Sequence, residues 1–518
     1  MRVEIKEKKI FLKYLSKLTN INNFNEINGI CTDSREVKKN DIFVAIKGEN
    51  FDGSDFINQA FRLGASYAIA KTDLDDKRVI NVNDSVKFIG EISKLWMKDF
   101  KGKVIAVTGS NGKTTTKKFI AHILKNLDYA VCSLDGNFNS SIGVPLSIFS
   151  FPHRSPIENK KEDYESPLVY ILELGASKVG DIEYLSSIVK PHYGVVTNIS
   201  AAHLKDFLSL ENIALEKRSI FNHTSEAKYE FDKNVRNIFG IQSKQDFVLK
   251  DINNDLSKLE WNPITFMESL EWQDQFPESW KYPIVSDVIL RCMCMALTVC
   301  QDFAYENYME CNRGVSYKTG DGYTDEDGDF VEYYDFDYVG GEGPGTSLAA
   351  RMEWVKSVLH GFEIPEGRGN SFFLKNGVLI IDDSYNANPE SVKAAIDNIS
   401  RMELLESEYS VSKYRTEGMG RRILVLGDMK DLGEREEWFH QNIASYCDKK
   451  DIDGLLCIGE LSKITYDWAS KNKIRHHFDN KKNLAKYIID NWQSNDVYLF
   501  KGSRSMGLDK VIEELKNV

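Results

Sequence analysis

The sequence predicts an α/β protein of several domains on mostly parallel sheets, and three observations carry that prediction. The chain has 518 residues, more than one hydrophobic core accommodates, so two to four domains are expected. A β-branched run, Val104-Ile-Ala-Val-Thr108, meets a glycine-rich turn and then a helix marked by Phe119, Ile120, Ile123, Leu124 and Leu127 at helical spacing. From about residue 368, short apolar runs alternate with amphipathic ones, the pattern of a doubly wound parallel sheet.

Composition narrows the class. Hydrophobic residues at 42% and charged residues at 28% describe an ordinary globular chain. A net charge of −12 argues against general nucleic-acid affinity, so any anionic substrate has to be met by local positive groups. No run of about 18 apolar residues occurs, and Met1-Arg-Val-Glu-Ile-Lys6 lacks a signal-peptide core. A cytoplasmic protein without membrane insertion is expected. The eight cysteines form no Cys-x-x-Cys pair; buried thiols are expected rather than disulfides or a metal site.

The first hundred residues read as a small α/β unit. Gly29 to Arg35 precedes a strand from Asp41 that turns at Gly48, and Asp52 to Phe56 opens a helix continuing to Gly64. Ser34 and Arg35 at a strand end suit a phosphate-bearing ligand, but taken alone the arginine reads better as a surface salt bridge. The second unit opens on the turn Gly109-Ser-Asn-Gly112, which delivers Lys113, Thr114 and Thr115 onto a helix start. Glycines there let backbone N–H groups approach phosphate oxygens, the helix N-terminus adds positive potential, and Lys113 adds a full charge. Thr114 stands where a hydroxyl holds Mg²⁺. Gly136 to Pro145, with Asn137 and Asn139, is expected to be a shaped loop. The apolar strand Leu168 to Leu174 carries one acid, Glu173, which has to be paired or bound to a cation; the Mg²⁺ of a nucleotide fits. Beyond the strand from Tyr193 to Ile199, His203 is either a capping group or a metal or phosphate ligand. Glu211 to Ile220 is expected to be helical. Residues 303–345 are acidic, aromatic and glycine-rich; Asp321, Asp325, Asp327 and Asp329 lack the frame of a calcium loop, so a solvated insertion is expected.

In the last unit, strands are expected at 378–381, 423–426, 455–458 and 497–500. Three polar runs follow strands there: Asp382 to Pro389, Gly427 to Gly433, and Lys501 to Ser505. Strand ends are where ligands collect in such sheets, so these runs are expected to face nucleotide or substrate.

Together these segments resemble the Mur ligase family, ATP-dependent amide-forming enzymes of peptidoglycan synthesis. The resemblance rests on Thr108-Gly-Ser-Asn-Gly-Lys-Thr-Thr115, Gly136-Asn-Phe-Asn-Ser-Ser-Ile-Gly-Val-Pro145, Asp382-Asp-Ser-Tyr-Asn-Ala-Asn-Pro389, Leu426-Gly-Asp-Met429 and Lys501-Gly-Ser-Arg-Ser-Met506. It leaves out roughly 222–350. The last four motifs belong to the type that adds D-alanyl-D-alanine to a UDP-N-acetylmuramoyl-tripeptide. The resemblance implies three domains: a UDP-substrate-binding domain over 1–98, a central P-loop ATPase over 99–366 and a C-terminal Rossmann-like domain over 367–518. It implies that Ser34 and Arg35 contact the UDP-sugar, and that Gly109, Ser110, Asn111, Gly112, Lys113, Thr114 and Thr115 hold ATP. Thr114, Glu173 and His203 would surround magnesium, and a carbamylated Lys217 would help bind a second ion. Lys113, Lys217 and His203 are the implied catalytic groups. Asn386 and Asn388 would face the nucleotide, and Asn137, Asn139, Lys501, Ser503 and Arg504 the substrate.

Two positions depart from the family pattern. Lys-x-Glu is expected at the modified lysine, where this chain has Lys217-Arg218-Ser219. A His-Asn pair is expected near the end of the central domain, where Ser286-Asp287 stands; Asp287 would accept from the adenine amino group. The implied reaction activates the substrate carboxylate as an acyl phosphate, which the dipeptide amine attacks, with closure of the C-terminal domain over the ATPase. A monomer is expected. A folate-polyglutamylating type of ligase and a catalytically impaired nucleotide-binding scaffold are the alternatives.

Overall fold

Alternation of β-branched runs with amphipathic ones yields three large sheets that follow one another along the chain, each mostly parallel, beside one two-stranded pair. The computed structural model describes residues 1–518 apart from 20, 22, 49–50, 137, 154–166, 201–203, 403–419, 471–473 and most of 231–356. The first sheet contains β1 (Arg2–Glu4), β2 (Gly29–Cys31), β3 (Asp41–Val44), β4 (Tyr67–Ala70) and β5 (Val79–Asn81), in that spatial order. Only β1 runs antiparallel to its neighbour. Three helices cover it: α1 (Lys8–Thr19), α2 (Ile57–Arg62) and α3 (Ser85–Asp99). The helix expected from Asp52 begins as a 3₁₀ turn over Gly53–Phe56 and becomes α-helical at Ile57. Asp52 caps that turn by accepting from the Ser54 N–H at 2.9 Å.

The central sheet is parallel throughout, in the order β10-β9-β6-β8-β7. Its elements in chain order are β6 (Lys103–Thr108), α4 (Lys113–Asn126), β7 (Ala130–Cys132), α5 (Gly143–Phe149), β8 (Leu168–Glu173), α6 (Asp181–Val189), β9 (Tyr193–Val196), α7 (Leu204–Phe207), α8 (Leu210–Arg218) and β10 (Ala227–Glu230). The stretch expected to stay a loop as far as Pro145 is already helical from Gly143. Proline is accepted there because first-turn N–H groups have no intrahelical partner in any case. Of the acidic stretch 303–345, Tyr323–Thr324 and Phe330–Val331 pair antiparallel as β11 and β12; its four aspartates lie outside the described residues.

The third sheet has the order β13-β14-β18-β15-β16-β17. It is built from β13 (Asn370–Phe373), β14 (Leu379–Asp383), α9 (Pro389–Arg401), β15 (Arg422–Gly427), α10 (Glu436–Cys447), β16 (Gly454–Ile458), α11 (Ser462–Trp468), β17 (Ile474–Phe478), α12 (Lys481–Asn491), β18 (Val497–Lys501) and α13 (Asp509–Lys516). All four expected strands are present. The two that sequence reading missed, β13 and β17, are its edges. An edge strand needs no continuous apolar run, and Ile474-Arg-His-His-Phe478 has none.

Packing joins the first two units more closely than a linker would. One apolar core runs from α1 and α3 into the central sheet, where Phe11 meets Phe149 edge-to-face at 4.9 Å and Trp96 meets the same ring at 5.6 Å. The opposite face of the central sheet is covered by α4 and by helical residues between 288 and 304. The third sheet has a separate core on each face. Among the described residues, no helix is long and apolar enough to cross a membrane.

Candidate active site

The glycine turn is held from behind. Gly109 (φ 140°) and Gly112 (φ 79°) adopt backbone conformations that a side chain would strain. A Cβ on Gly112 would also stand 2.7 Å from Cys292 Sγ. Residues just past β9 hold the loop in place: the Asn111 N–H donates to Asn198 Oδ1 at 2.6 Å, and Ser110 Oγ donates to the Ser200 carbonyl at 3.0 Å. Thr197 Oγ1 donates to the Asn111 carbonyl. Sequence reading placed the loop but not these props, because strand pairing of β6 with β9 is what brings them together. Lys113 folds back on its own turn, donating from Nζ to the carbonyls of Gly109 (2.9 Å) and Ser110 (3.2 Å). Burial pulls its pKa below the ordinary lysine value, partly offset by Glu173.

Pairing of β6 with β8 puts Glu173 beside the first turn of α4. Thr114 Oγ1 donates to Glu173 Oε2 at 2.7 Å, and Asn139 Nδ2 donates to Oε1 at 2.9 Å. Burial alone would raise the Glu173 pKa; Lys113, Lys117 and these two donors outweigh it, and the carboxyl sits below its ordinary range. The lone acid of an apolar strand is therefore ionised and partnered. Lys117, one turn along α4 and not anticipated from sequence, donates to the Leu134 carbonyl at the base of the Asn139 loop.

The helix α8 inverts the usual pattern, exposing Leu215 while burying Glu216 and Lys217. The Lys217 pKa is pushed down to about 7, first by burial and then by Lys113, against the pull of Glu216, Asp181 and Glu173. Its Nζ lies 5.8 Å from the centre of the Phe207 ring.

Across from these groups stands the third unit, and the two together enclose a cleft of about 640 Å³. The C-terminal wall is cationic. Lys501 Nζ meets Asp383 Oδ2 at 2.8 Å and donates to the Asn386 carbonyl at 2.8 Å. Burial raises the Asp383 pKa against the lowering effect of Lys501. The Arg368 guanidinium lies 4.0 Å from the centre of the Tyr385 ring, and Arg504, paired with Asp509 at 3.2 Å, lies 5.6 Å from it. Sequence reading gave Arg368 no role, and Asp383 and Tyr385 entered it only within the run Asp382 to Pro389.

The sequence-derived site residues sort into three groups. The seven residues Gly109 to Thr115, with Asn139, Glu173, Lys217, Asn386, Lys501 and Arg504, all line the cleft. Four do not. Asn388 instead caps α9, accepting from the Ser391 N–H at 2.9 Å, and donates across to Asn111 Oδ1 at 2.6 Å. Ser503 Oγ is turned to the Lys430 N–H at 2.9 Å. In the first unit Ser34 Oγ donates to Gln59 Oε1 at 3.1 Å, and exposed Arg35 forks onto Asp33 at 2.9 and 2.6 Å, the surface salt bridge expected of that arginine taken alone. His203, Asn137 and Asp287 lie outside the described residues.

The donor set fits a magnesium-bound triphosphate. The cradle has no room for a Cβ at Gly112, and a hydroxyl and an ionised carboxylate, both hard oxygen donors, meet beside it. Among the described residues no three His, Cys, Asp or Glu side chains converge as a metal group. A cation at Thr114 and Glu173 would need further oxygens, and phosphate supplies them.

Comparison with known proteins agrees along the whole chain. Residues 26–95 match the Mur ligase family, catalytic domain; 107–266 match the Mur ligase middle domain; 367–504 match the Mur ligase, glutamate ligase domain. The UDP-N-acetylmuramoyl-tripeptide–D-alanyl-D-alanine ligase of Bacillus subtilis (strain 168) is 29% identical over 507 residues, covering 94% of this chain and 93% of that one. Its counterpart in Escherichia coli (strain K12) is 28% identical, covering 97% and 98%. The crystal structure of the MurF ligase from Thermotoga maritima in complex with ADP superposes with a TM-score of 0.65 at 25% identity, over 94% of this chain and 97% of that one. A MurF structure from Acinetobacter baumannii shares the fold at a TM-score of 0.67 and 22% identity. With three successive matches in family order and relatives aligned end to end, the chain belongs to the Mur ligase family.

Proposed function

We propose that this protein is an ATP-dependent ligase that joins D-alanyl-D-alanine to the terminal carboxylate of a UDP-N-acetylmuramoyl-tripeptide. The observation that carries the reading is the cleft itself: a glycine-turn cradle with Thr114 and Glu173 on one wall faces the Asp383, Asn386, Lys501 and Arg504 strand ends on the other. The ATP γ-phosphoryl moves to the substrate carboxylate, forming the acyl phosphate and releasing ADP. The dipeptide amine adds to that carbonyl, loses a proton and expels inorganic phosphate. No group on the protein is consumed, so its work is positioning and charge neutralisation.

Each residue's part follows from its surroundings. Lys113, now on the carbonyls of its own turn, exchanges them for phosphate oxygens when the triphosphate enters. Thr114 and Glu173 would hold Mg²⁺, which supplies positive charge at the phosphates. Arg368, Lys501 and Arg504 offer charge from the facing wall, where the acyl phosphate gathers negative charge. Lys217, with a pKa of about 7, is substantially unprotonated at neutral pH, as an amine must be to form an N–C bond to CO₂ with loss of a proton. The carbamate would replace a buried cation by an oxygen ligand for a second Mg²⁺. In the first unit, Ser34 and Arg35 stand apart from the cleft and are proposed to meet the UDP end of the substrate.

Mass spectrometry of products formed from ATP, a UDP-muramoyl-tripeptide and D-alanyl-D-alanine tests the assignment. The expected product is the pentapeptide with stoichiometric ADP and phosphate. Absence of product with this dipeptide, but formation with another amine, would reassign the acceptor.

A further inference from the structure

Lys217 is followed two positions later by Ser219, where the family pattern has a glutamate, so the site lacks one expected carboxylate. The fold supplies a carboxylate from the other side of the lysine. Glu216 is 4% exposed and Lys217 is 3% exposed, adjacent on the inward face of α8. The Glu216 carboxylate accepts two backbone N–H groups, Gly180 at its Oε2 and Ile182 at its Oε1, both at 2.7 Å. These belong to the start of α6, where Gly180 (φ 91°), the residue just before the helix, has no side chain to cap it. Asp181 is turned elsewhere, its Oδ2 accepting from the Ser177 and Lys178 N–H groups at 2.9 and 3.0 Å. Ser219 points back instead, donating from Oγ to the Glu216 carbonyl at 2.7 Å.

The segment so held is a wall of the cleft. Ser177, Lys178 and Asp181 line it beside Lys217. Buried backbone donors at a helix start need an acceptor, and an anion is favoured there by the helix dipole. A charged carboxylate buried to this degree is retained only where its hydrogen bonds are complete.

We propose that Glu216 is the positioning residue of the lysine site: its carboxylate clamps the start of α6 to α8 and holds the Ser177-to-Asp181 wall against Lys217, replacing the missing glutamate at 219. The inference rests on the reading of Lys217 as a carbamylated group of the active site. Glu216→Gln preserves shape but turns an amide NH₂ toward one of the two backbone donors. The expected results are a kcat at least about 10-fold lower, faster hydrogen–deuterium exchange at Gly180 and Ile182, and a weaker ¹³C signal of the Lys217 carbamate under ¹³CO₂. The thermal midpoint should fall by only a few degrees, since one buried donor is left facing the amide NH₂.

The short 3₁₀ turn beginning at Ser219 also packs on α6, so a carboxylate placed at 219 tests whether the clamp can be restored from that side. The double variant Glu216→Gln with Ser219→Glu should recover kcat, the carbamate signal and slow exchange together. A kcat and carbamate signal within twofold of the parent in Glu216→Gln would overturn the inference, as would failure of the double variant to recover either one. Lys217→Ala separates the two readings. If it is fully active, the lysine assignment fails by itself; if it is inactive while Glu216→Gln is not, only the clamp fails.

Discussion

The two walls of the cleft are built on different principles. On the central wall, Thr114 and Asn139 both donate to the buried Glu173 carboxylate, and Lys113 is tied to the carbonyls of its own turn. On the C-terminal wall, Arg368 is held by the face of Tyr385 rather than by a carboxylate, and Asn386 and Arg504 are exposed. The first wall is preorganised for a fixed, highly charged group. The second joins one fixed ion pair, buried Lys501 with Asp383, to guanidinium charge on adjustable supports, suited to a partner that arrives when the domains close. Loss of a group should accordingly depress kcat on the first wall and raise KM on the second.

The largest effect is expected at the cradle. Lys113→Ala should lower phosphate release by at least about 10²–10³-fold with an unchanged circular dichroism spectrum; turnover near that of the parent would remove the phosphate assignment. Glu173→Gln keeps both hydrogen-bond partners within reach but loses the charge. A fall of about 10–100-fold, with a rise in the Mg²⁺ concentration for half-maximal rate, is expected, and an unshifted Mg²⁺ titration would break the metal assignment. Lys217→Ala should cost a similar or smaller factor and regain part of its rate with millimolar acetate or formate, which restore a carboxylate oxygen in the vacated space. Indifference to added acid would point away from a carbamate.

The opposite wall should respond more gently. Tyr385→Ala removes the ring that supports Arg368 and should raise the KM of a substrate by about 3–10-fold, the range of a partly desolvated cation–π contact. Tyr385→Phe should match the parent, since the ring and not the hydroxyl makes the contact. A drop confined to kcat would blur the distinction between the walls. The smallest change is expected for Asn388→Ala, which loses a helix cap worth about 1 kcal/mol and the link to Asn111. Calorimetry should register a lower unfolding midpoint, with activity changed by less than a few-fold.

Much of the site could be read from sequence where chemistry depends on neighbours along the chain. Gly109 to Thr115 is such a case, because turn, charge and hydroxyl are contiguous and the strand before them is apolar. Glu173 was legible as an anomaly, one acid in a buried run. Asn388 and Ser503 show the converse. Their motifs marked them as ligand-facing, yet the side chains serve a helix cap and a loop amide, because those unsatisfied backbone groups lie closer than the cleft. The strands β13 and β17 escaped notice because edge positions do not demand the apolar periodicity that reveals interior ones.

By itself the sequence determined the parallel α/β class, the position of the phosphate cradle, the residue types at the strand ends and, through its motifs, the family. Those properties depend on local spacing and on side-chain chemistry, which survive without coordinates. Only the tertiary structure decided that Arg368 and Tyr385 face a loop more than 250 residues earlier, that Lys217 is buried deeply enough for its pKa to fall to about 7, and that Glu216 turns its carboxylate onto the Gly180 and Ile182 N–H groups at the start of α6. Such properties come from desolvation and from strand pairing between distant segments, and no spacing along the chain encodes how much water a folded cleft excludes.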